Sequence, residues 1–122
     1  MHTILIVDDD EPVRKMLCHM LKQDDYKLLT AENGEQAQSI IDSNNIDLII
    51  TDIVMPKIHG LDLIMLLHKV RPTLPVIAIS GGSGITGRFD YLEIARIVGA
   101  NNILRKPFTA DTLRTVVLSN LN

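Results

Sequence analysis

The sequence has only one cysteine, Cys18. Because Cys18 has no second cysteine to pair with, a disulfide within the chain is excluded, and the protein suits a reducing compartment. A helix flank is its expected place.

Runs of basic residues and long apolar runs are both missing. The net charge is -3 and the pI is near 5.7, which argues against general affinity for nucleic acid or for an anionic membrane. The longest apolar runs, such as "ILIV" at 4–7 and "VIAI" at 76–79, are far too short to span a bilayer. Strand-like sequence follows Met1 almost directly, leaving no room for a signal peptide. We expect one cytoplasmic, soluble domain over residues 1–122.

Short β-branched runs alternate with helical patterns along the chain. Three of the runs are almost wholly apolar, which is typical of strands buried on both faces, as in parallel sheets. The predicted strands are 3–7, 27–31, 47–51, 75–80 and 102–105.

The helical patterns lie between these strands and carry apolar stripes with a helical period. Asp10, Asn33 and Thr109 are candidate N-caps, and Gly99 is a candidate stop. The predicted helices are 11–23, 34–43, 60–70, 88–98 and one that begins after Pro107. The predicted inward stripes are Val13, Met16, Leu17, Met20 and Leu21; Ala37, Ile40 and Ile41; Leu63, Leu66, Leu67 and Val70; and Leu113, Val116 and Val117.

Five alternating strand–helix units predict a doubly wound α/β fold with a parallel sheet and right-handed crossovers. Periodicity alone leaves the strand order open.

Polar side chains follow four of the predicted strands. Asp8, Asp9 and Asp10 come after the first strand and Asp52 after the third, while Ser80 closes the fourth and Lys106 follows the fifth. Because ligands bind outside the carboxyl ends of parallel strands, these side chains are expected to share one site. The set suits Mg²⁺ and phosphoryl transfer, with a carboxylate as nucleophile. A bound cation would also offset the repulsion among neighbouring carboxylates.

Each of these residues also has an ordinary structural interpretation. Asp10 alone is more simply a helix cap, and an aspartate such as Asp52 in a turn before proline is common. The interpretation as a site rests on the whole set and its order along the chain.

Four segments together resemble the receiver domain of bacterial two-component response regulators. They are "ILIVDDDEPVR" at 4–14, "DLIITDIVMPKIHGLDLI" at 47–64, "VIAISG" at 76–81 and "LRKPF" at 104–108. The resemblance covers essentially the whole chain and implies a five-stranded, flavodoxin-like sheet in the order 2-1-3-4-5, with five helices.

The resemblance also implies roles for individual residues. Asp52 would accept the phosphoryl group, and Ser80 and Lys106 would bind it. Four groups would hold magnesium: the carboxylates of Asp8, Asp9 and Asp52 and the backbone carbonyl of Val54.

The implied protein is a phosphorylated switch rather than a classical enzyme, although it would assist its own phosphorylation and dephosphorylation. The implied partners are a sensor histidine kinase or phosphotransfer protein and an unidentified output partner or effector domain. Direct contacts with nucleic acid or membrane are not expected. Helices four and five carry mixed charges that suit either a solvated surface or a phosphorylation-dependent dimer.

Three positions depart from the family pattern. Ile103 stands where the family usually has an aromatic residue, His59 stands where it often has an acidic or amide residue, and "GGSGITG" at 81–87 predicts a mobile loop.

Two other functions compete with this interpretation. The opening "LIVDDDEPV" loosely fits phosphatases of the haloacid-dehalogenase type, with Asp8 as nucleophile and Asp10 as acid/base, but this leaves Asp52 unexplained. The second alternative is a receiver that binds partners without being phosphorylated. The sequence also fits both a stand-alone receiver and the amino-terminal part of a longer regulator.

Overall fold

The computed structural model describes residues 1–53, 60–80, 85–86 and 89–121. Strands and helices alternate along this part of the chain as predicted, except that three strands in succession precede the fourth helix, which begins at Tyr91 and not at residue 88. The strands are β1 (His2–Val7), β2 (Tyr26–Ala31), β3 (Leu48–Asp52), β4 (Val76–Ser80), β5 (Ile85–Thr86), β6 (Phe89–Asp90) and β7 (Asn102–Arg105). The helices are α1 (Glu11–Leu21), α2 (Gly34–Ser43), α3 (Gly60–Val70), α4 (Tyr91–Val98) and α5 (Ala110–Asn120).

Five strands form one parallel sheet in the order β2-β1-β3-β4-β7. Numbered along the chain within this sheet, the order is 2-1-3-4-5, which confirms the predicted flavodoxin-like fold. The strands β5 and β6 form a separate antiparallel pair of two residues each, which the sequence analysis did not predict.

The central strands are buried on both faces. Along β1, Leu5 and Val7 pack into one apolar cluster while Ile4 and Ile6 pack into another, because successive side chains point to opposite sides of the sheet. The same alternation runs along β3 and explains why neither strand has a polar face. This double burial is the reason that the sequence shows continuous apolar runs there.

The helices cover the two faces with narrower apolar stripes than predicted. Leu17 and Leu21 of α1 and Leu63 and Leu67 of α3 are buried. Three residues assigned to the inward stripes are instead exposed, and these are Met16, Leu66 and Val70. The prediction was wrong there because each lies at the margin of its helix's apolar face, where the sheet no longer covers it.

Helix ends follow the sequence signals in three cases out of four. Asn33 and Thr109 accept capping hydrogen bonds from the backbone N–H groups of Gln36 and Thr112, and Gly99 has a φ of 136°, which favours glycine. Asp10 occupies the N-cap position of α1, but its side chain makes no capping hydrogen bond. The predicted capping role of Asp10 was therefore wrong.

Among the described residues, no helix is long and apolar enough to cross a membrane. The sole cysteine, Cys18, is a free, half-buried thiol on α1, as expected, and burial raises its pKa.

Candidate functional site

The sheet order brings four polar strand ends to one edge. Strands β1 and β3 are neighbours, and β4 lies between β3 and β7. The carboxyl ends of all four therefore carry, side by side, the residues that the sequence analysis grouped into a site. They are Asp8 and Asp9 after β1, Asp52 at the end of β3, Ser80 at the end of β4 and Lys106 just after β7.

Three carboxylates at this edge converge. One oxygen from each of Asp8, Asp9 and Asp52 can be chosen so that all three lie within 4.8 Å of one another. Asp8 is buried, Asp52 is half-buried and Asp9 is exposed, so the cluster opens to solvent on one side. Carboxylate oxygens in such a cluster are suitable ligands for a hard divalent cation.

Asp8 is held firmly and is almost completely buried, with 1% of its surface exposed. Its Oδ1 accepts a hydrogen bond of 2.9 Å from the backbone N–H of Asp10. Its Oδ2 is buried and has no hydrogen-bond partner in the part of the chain that the structure describes. Burial raises the pKa of the Asp8 carboxyl, while the Asp10 N–H and the charge of Lys106 act in the opposite direction.

The Oδ2 of Asp8, which makes no hydrogen bond within the described residues, is the observation that best fits a metal ion. A buried polar atom without a partner is costly, and a buried carboxylate is normally paired or bound to a metal. A cation between Asp8, Asp9 and Asp52 would satisfy this oxygen and neutralise the cluster. The donor set therefore fits magnesium.

Lys106 forms an ion pair with the buried carboxylate of Asp8. Its Nζ lies 3.7 Å from Oδ2 of Asp8, which is an ion pair but is longer than a hydrogen bond. The backbone N–H of Lys106 donates to the carbonyl oxygen of Ser80 at 2.8 Å. This bond ties the end of β7 to the end of β4 and fixes where the lysine side chain starts.

The backbone at Asp52 is held by two neighbours that the sequence analysis missed. The buried Thr51 donates its hydroxyl hydrogen to the Asp52 carbonyl oxygen at 2.9 Å. Gly60, the first residue of α3, donates its N–H to the Ile53 carbonyl at 3.1 Å. A Cβ at position 60 would lie 2.2 Å from the Asp52 carbonyl oxygen, so only glycine lets α3 begin this close to β3.

Arg14 is a third residue that the sequence analysis missed. Its Nη1 donates to the backbone carbonyl of Asp8 at 2.7 Å. An arginine one turn into the helix that follows an acidic loop is the signal that could have indicated it.

Several predictions fall outside the described residues. They concern the backbone carbonyl of Val54, the side chain of His59 and most of the segment 81–87. The predicted third acid, Asp10, is present next to the cluster, but its carboxylate is not one of the three that converge.

The chain matches the response regulator receiver domain family over residues 4–118. Among curated proteins it is 35% identical, over 120 residues, to the autoinducer 1 sensor kinase/phosphatase LuxN of Vibrio harveyi, covering 98% of this chain and 14% of that protein. It is also 35% identical, over 108 residues, to the transcriptional regulatory protein CpxR of Escherichia coli, covering 88% of this chain and 44% of CpxR. The chain thus spans less than half the length of either relative.

Solved structures show the same similarity. A response regulator receiver domain protein from Clostridium thermocellum superposes with a TM-score of 0.88 at 30% identity, covering 98% of this chain and 94% of that one. The response regulator TrrA of Thermotoga maritima, solved in complex with Mg²⁺ and BeF, gives a TM-score of 0.86 at 32% identity, covering 99% of this chain and 100% of TrrA.

Proposed function

Since the chain belongs to the response regulator receiver domains, whose general function is to be phosphorylated on an aspartate by a kinase, we propose that its phosphoacceptor is Asp52. The observation that carries this proposal is the position of Asp52. It ends the strand next to β1, is half-buried, and shares a cluster with the carboxylates of Asp8 and Asp9. A nucleophile there is accessible to a phosphodonor and lies in the cluster that fits a metal ion.

In the proposed reaction, a carboxylate oxygen of Asp52 attacks the phosphorus of a phosphohistidine. A P–O bond forms, the P–N bond breaks, and the imidazole leaves with the electron pair. Bound Mg²⁺ would neutralise charge on the phosphoryl oxygens. Asp8, Asp9, Asp52 and the carbonyl of Val54 would hold the metal ion.

Lys106 and Ser80 would act on the phosphoryl group once it is on Asp52. Lys106 would move from the carboxylate of Asp8 to a phosphoryl oxygen, a charge-assisted contact that is stronger than a neutral one. The Ser80 hydroxyl would donate a neutral hydrogen bond to another oxygen. These two contacts favour the phosphorylated conformer, and a ligand shifts an equilibrium only through such differential binding.

A receiver is a signalling domain and not a classical enzyme. We propose that this one nevertheless assists both its phosphorylation and its dephosphorylation, because the same charges would stabilise both transition states.

The proposed partners are a sensor histidine kinase or phosphotransfer protein and an output partner. Support comes from relatives in which a receiver-like region is one part of a sensor kinase or of a transcriptional regulator. We propose that residues 1–122 form one receiver domain. A phosphorylation-dependent dimer and a cytoplasmic location stay predictions.

The phosphatase alternative is less well supported by the site. It requires Asp8 to attack phosphorus, but Asp8 is almost fully buried and its Oδ1 already accepts a hydrogen bond. It also gives no role to Asp52, which lies in the cluster.

The proposal is tested by incubating the protein with acetyl phosphate and measuring its intact mass. One phosphoryl adduct should appear in the wild type with Mg²⁺ and disappear with EDTA or in Asp52→Asn. Asp62→Asn, which changes an exposed aspartate of α3, is the matched control and should be phosphorylated normally. An adduct that persists in Asp52→Asn would refute the assignment. If the wild type gains no adduct with Mg²⁺, binding of BeF₃⁻ is measured instead. Binding to the wild type but not to Asp52→Asn supports the assignment, and any other result refutes it.

A further inference from the structure

Asp8 presents four polar atoms, and three of them are fixed by hydrogen bonds. Its backbone N–H donates to the Ala31 carbonyl at 3.1 Å, which continues the pairing of β1 with β2. Its Oδ1 accepts from the Asp10 N–H. Its backbone carbonyl accepts from Arg14. Only Oδ2 has no hydrogen-bond partner within the described residues.

Arg14 holds the acidic loop, residues 8–10, from the helix α1 that follows it. Its backbone N–H donates to the Asp10 carbonyl at 3.0 Å, closing the first turn of α1. Its guanidinium turns back to the Asp8 carbonyl, six residues earlier, at 2.7 Å. One residue therefore ties both ends of the acidic loop to α1.

The bond to the Asp8 carbonyl also orients Asp9. A peptide unit is planar, so the Asp8 carbonyl and the Asp9 nitrogen rotate together. Among the contacts of the described residues, none holds the exposed carboxylate of Asp9. The orientation of this peptide plane is thus the main constraint on where the Asp9 side chain begins, and hence on its reach toward Asp8 and Asp52.

We propose that Arg14 is a positioning residue for the metal site, which it serves by clamping the Asp8 carbonyl and so aiming the Asp9 carboxylate at the cluster. The inference rests on the magnesium site of the proposed function. Outer residues that orient metal ligands typically contribute about 10–100-fold to metal affinity.

The charge of Arg14 makes the test decisive, because charge and clamping have opposite effects. A guanidinium near the cluster repels a cation, so removing its charge alone should strengthen Mg²⁺ binding. Removing the clamp should weaken it. The sign of the change therefore separates the two roles.

The test measures Mg²⁺ affinity by isothermal titration calorimetry on the full chain. The variants are Arg14→Met and Arg14→Lys, with Lys15→Met as control. Lys15 is the next residue on α1 and is also cationic, but its ion pair, 3.0 Å long, is with the exposed Glu11. Lys15→Met thus removes a nearby positive charge without touching the acidic loop.

We expect Arg14→Met to bind Mg²⁺ about 10-fold more weakly than the wild type. Arg14→Lys, which keeps the charge and a flexible donor, should lose less, and Lys15→Met should bind as tightly as the wild type or more tightly. Amide resonances of Asp9 and Asp10 should shift in Arg14→Met before any metal is added.

A second readout separates positioning from chemistry. In acetyl phosphate reactions, Arg14→Met should need more Mg²⁺ to reach half-maximal rate, while its rate at saturating Mg²⁺ should stay near that of the wild type. Unfolding curves in EDTA establish that each variant is folded. If Arg14→Met fails to fold, Arg14→Lys decides the question. If Arg14 acted through its charge alone, Arg14→Lys would keep the Mg²⁺ affinity of the wild type, whereas weaker binding supports the positioning role.

Unchanged or tighter Mg²⁺ binding by Arg14→Met would overturn the inference, and so would equal weakening by Lys15→Met. These outcomes differ from a failure of the proposed function, in which the wild type itself would bind no Mg²⁺.

Discussion

The ammonium nitrogen of Lys106 lies 3.7 Å from the buried Oδ2 of Asp8, although their strands are not neighbours. Two strands, β3 and β4, separate β1 from β7 in the sheet. The lysine side chain must therefore reach past the ends of the strands that carry Asp52 and Ser80. This contact places a positive charge beside the acids, at the edge where the proposed phosphoryl group would add further negative charge.

Replacing Lys106 with methionine should destabilise the metal-free protein. The substitution leaves the Asp8 carboxylate buried without its positive partner, which we expect to cost about 1–2 kcal/mol in the free energy of unfolding. Urea denaturation in EDTA measures this. In an Asp8→Asn background the same substitution should cost much less, since no buried charge remains; an equal cost in both backgrounds would contradict the ion pair.

Asp8→Asn should stabilise the metal-free protein at neutral pH. Burial raises the pKa of the Asp8 carboxyl in the folded state. Such a group contributes stability below its unfolded pKa of about 3.9, and this contribution is lost as the pH rises through the folded pKa. The advantage of Asp8→Asn over the wild type should therefore grow from pH 3 to pH 7, to about 1 kcal/mol or more.

Magnesium should reverse this order, because the wild type gains binding energy that Asp8→Asn lacks. Denaturation at several pH values, with EDTA or with Mg²⁺, checks both parts. An Asp8→Asn variant that is less stable than the wild type in EDTA at pH 7 would contradict the raised pKa.

Gly60→Ala should disturb the end of β3. The new Cβ would lie 2.2 Å from the Asp52 carbonyl oxygen and 2.4 Å from the Ile53 Cα, and both are backbone atoms that cannot simply rotate away. We expect a loss of about 2–3 kcal/mol in the free energy of unfolding. The control is Asp62→Ala in the exposed first turn of α3, which should cost far less. A neutral Gly60→Ala would show that the close approach of α3 to β3 is not needed.

The sequence was sufficient for the order of the five helices and the five strands of the parallel sheet, though not for β5 and β6, and for grouping the residues of the candidate site. Continuous apolar runs identified β1, β3 and β4 because both faces of these strands are covered. Asp52, Ser80 and Lys106 could be grouped because parallel strands end at one edge. The strand order came from the family resemblance, since periodicity carries no information about which strands are neighbours.

Contacts that depend on tertiary geometry could not be predicted. Whether the Asp10 side chain caps α1 depends on its orientation at the start of the helix, and there it makes no capping hydrogen bond. The bond from Arg14 to the Asp8 carbonyl and the close approach of Gly60 to Asp52 likewise need coordinates. The exposure of Met16, Leu66 and Val70 reflects how far the sheet extends beneath each helix.

The central claim, that Asp52 carries the phosphoryl group, is tested most directly by locating the acyl phosphate. Treating the phosphorylated protein with borohydride reduces an aspartyl phosphate to homoserine, and tandem mass spectrometry of its peptides then identifies the residue. We predict homoserine at position 52 alone, formed only when both Mg²⁺ and phosphodonor were present. Homoserine at position 8 would contradict the account and favour a phosphatase in which Asp8 is the nucleophile.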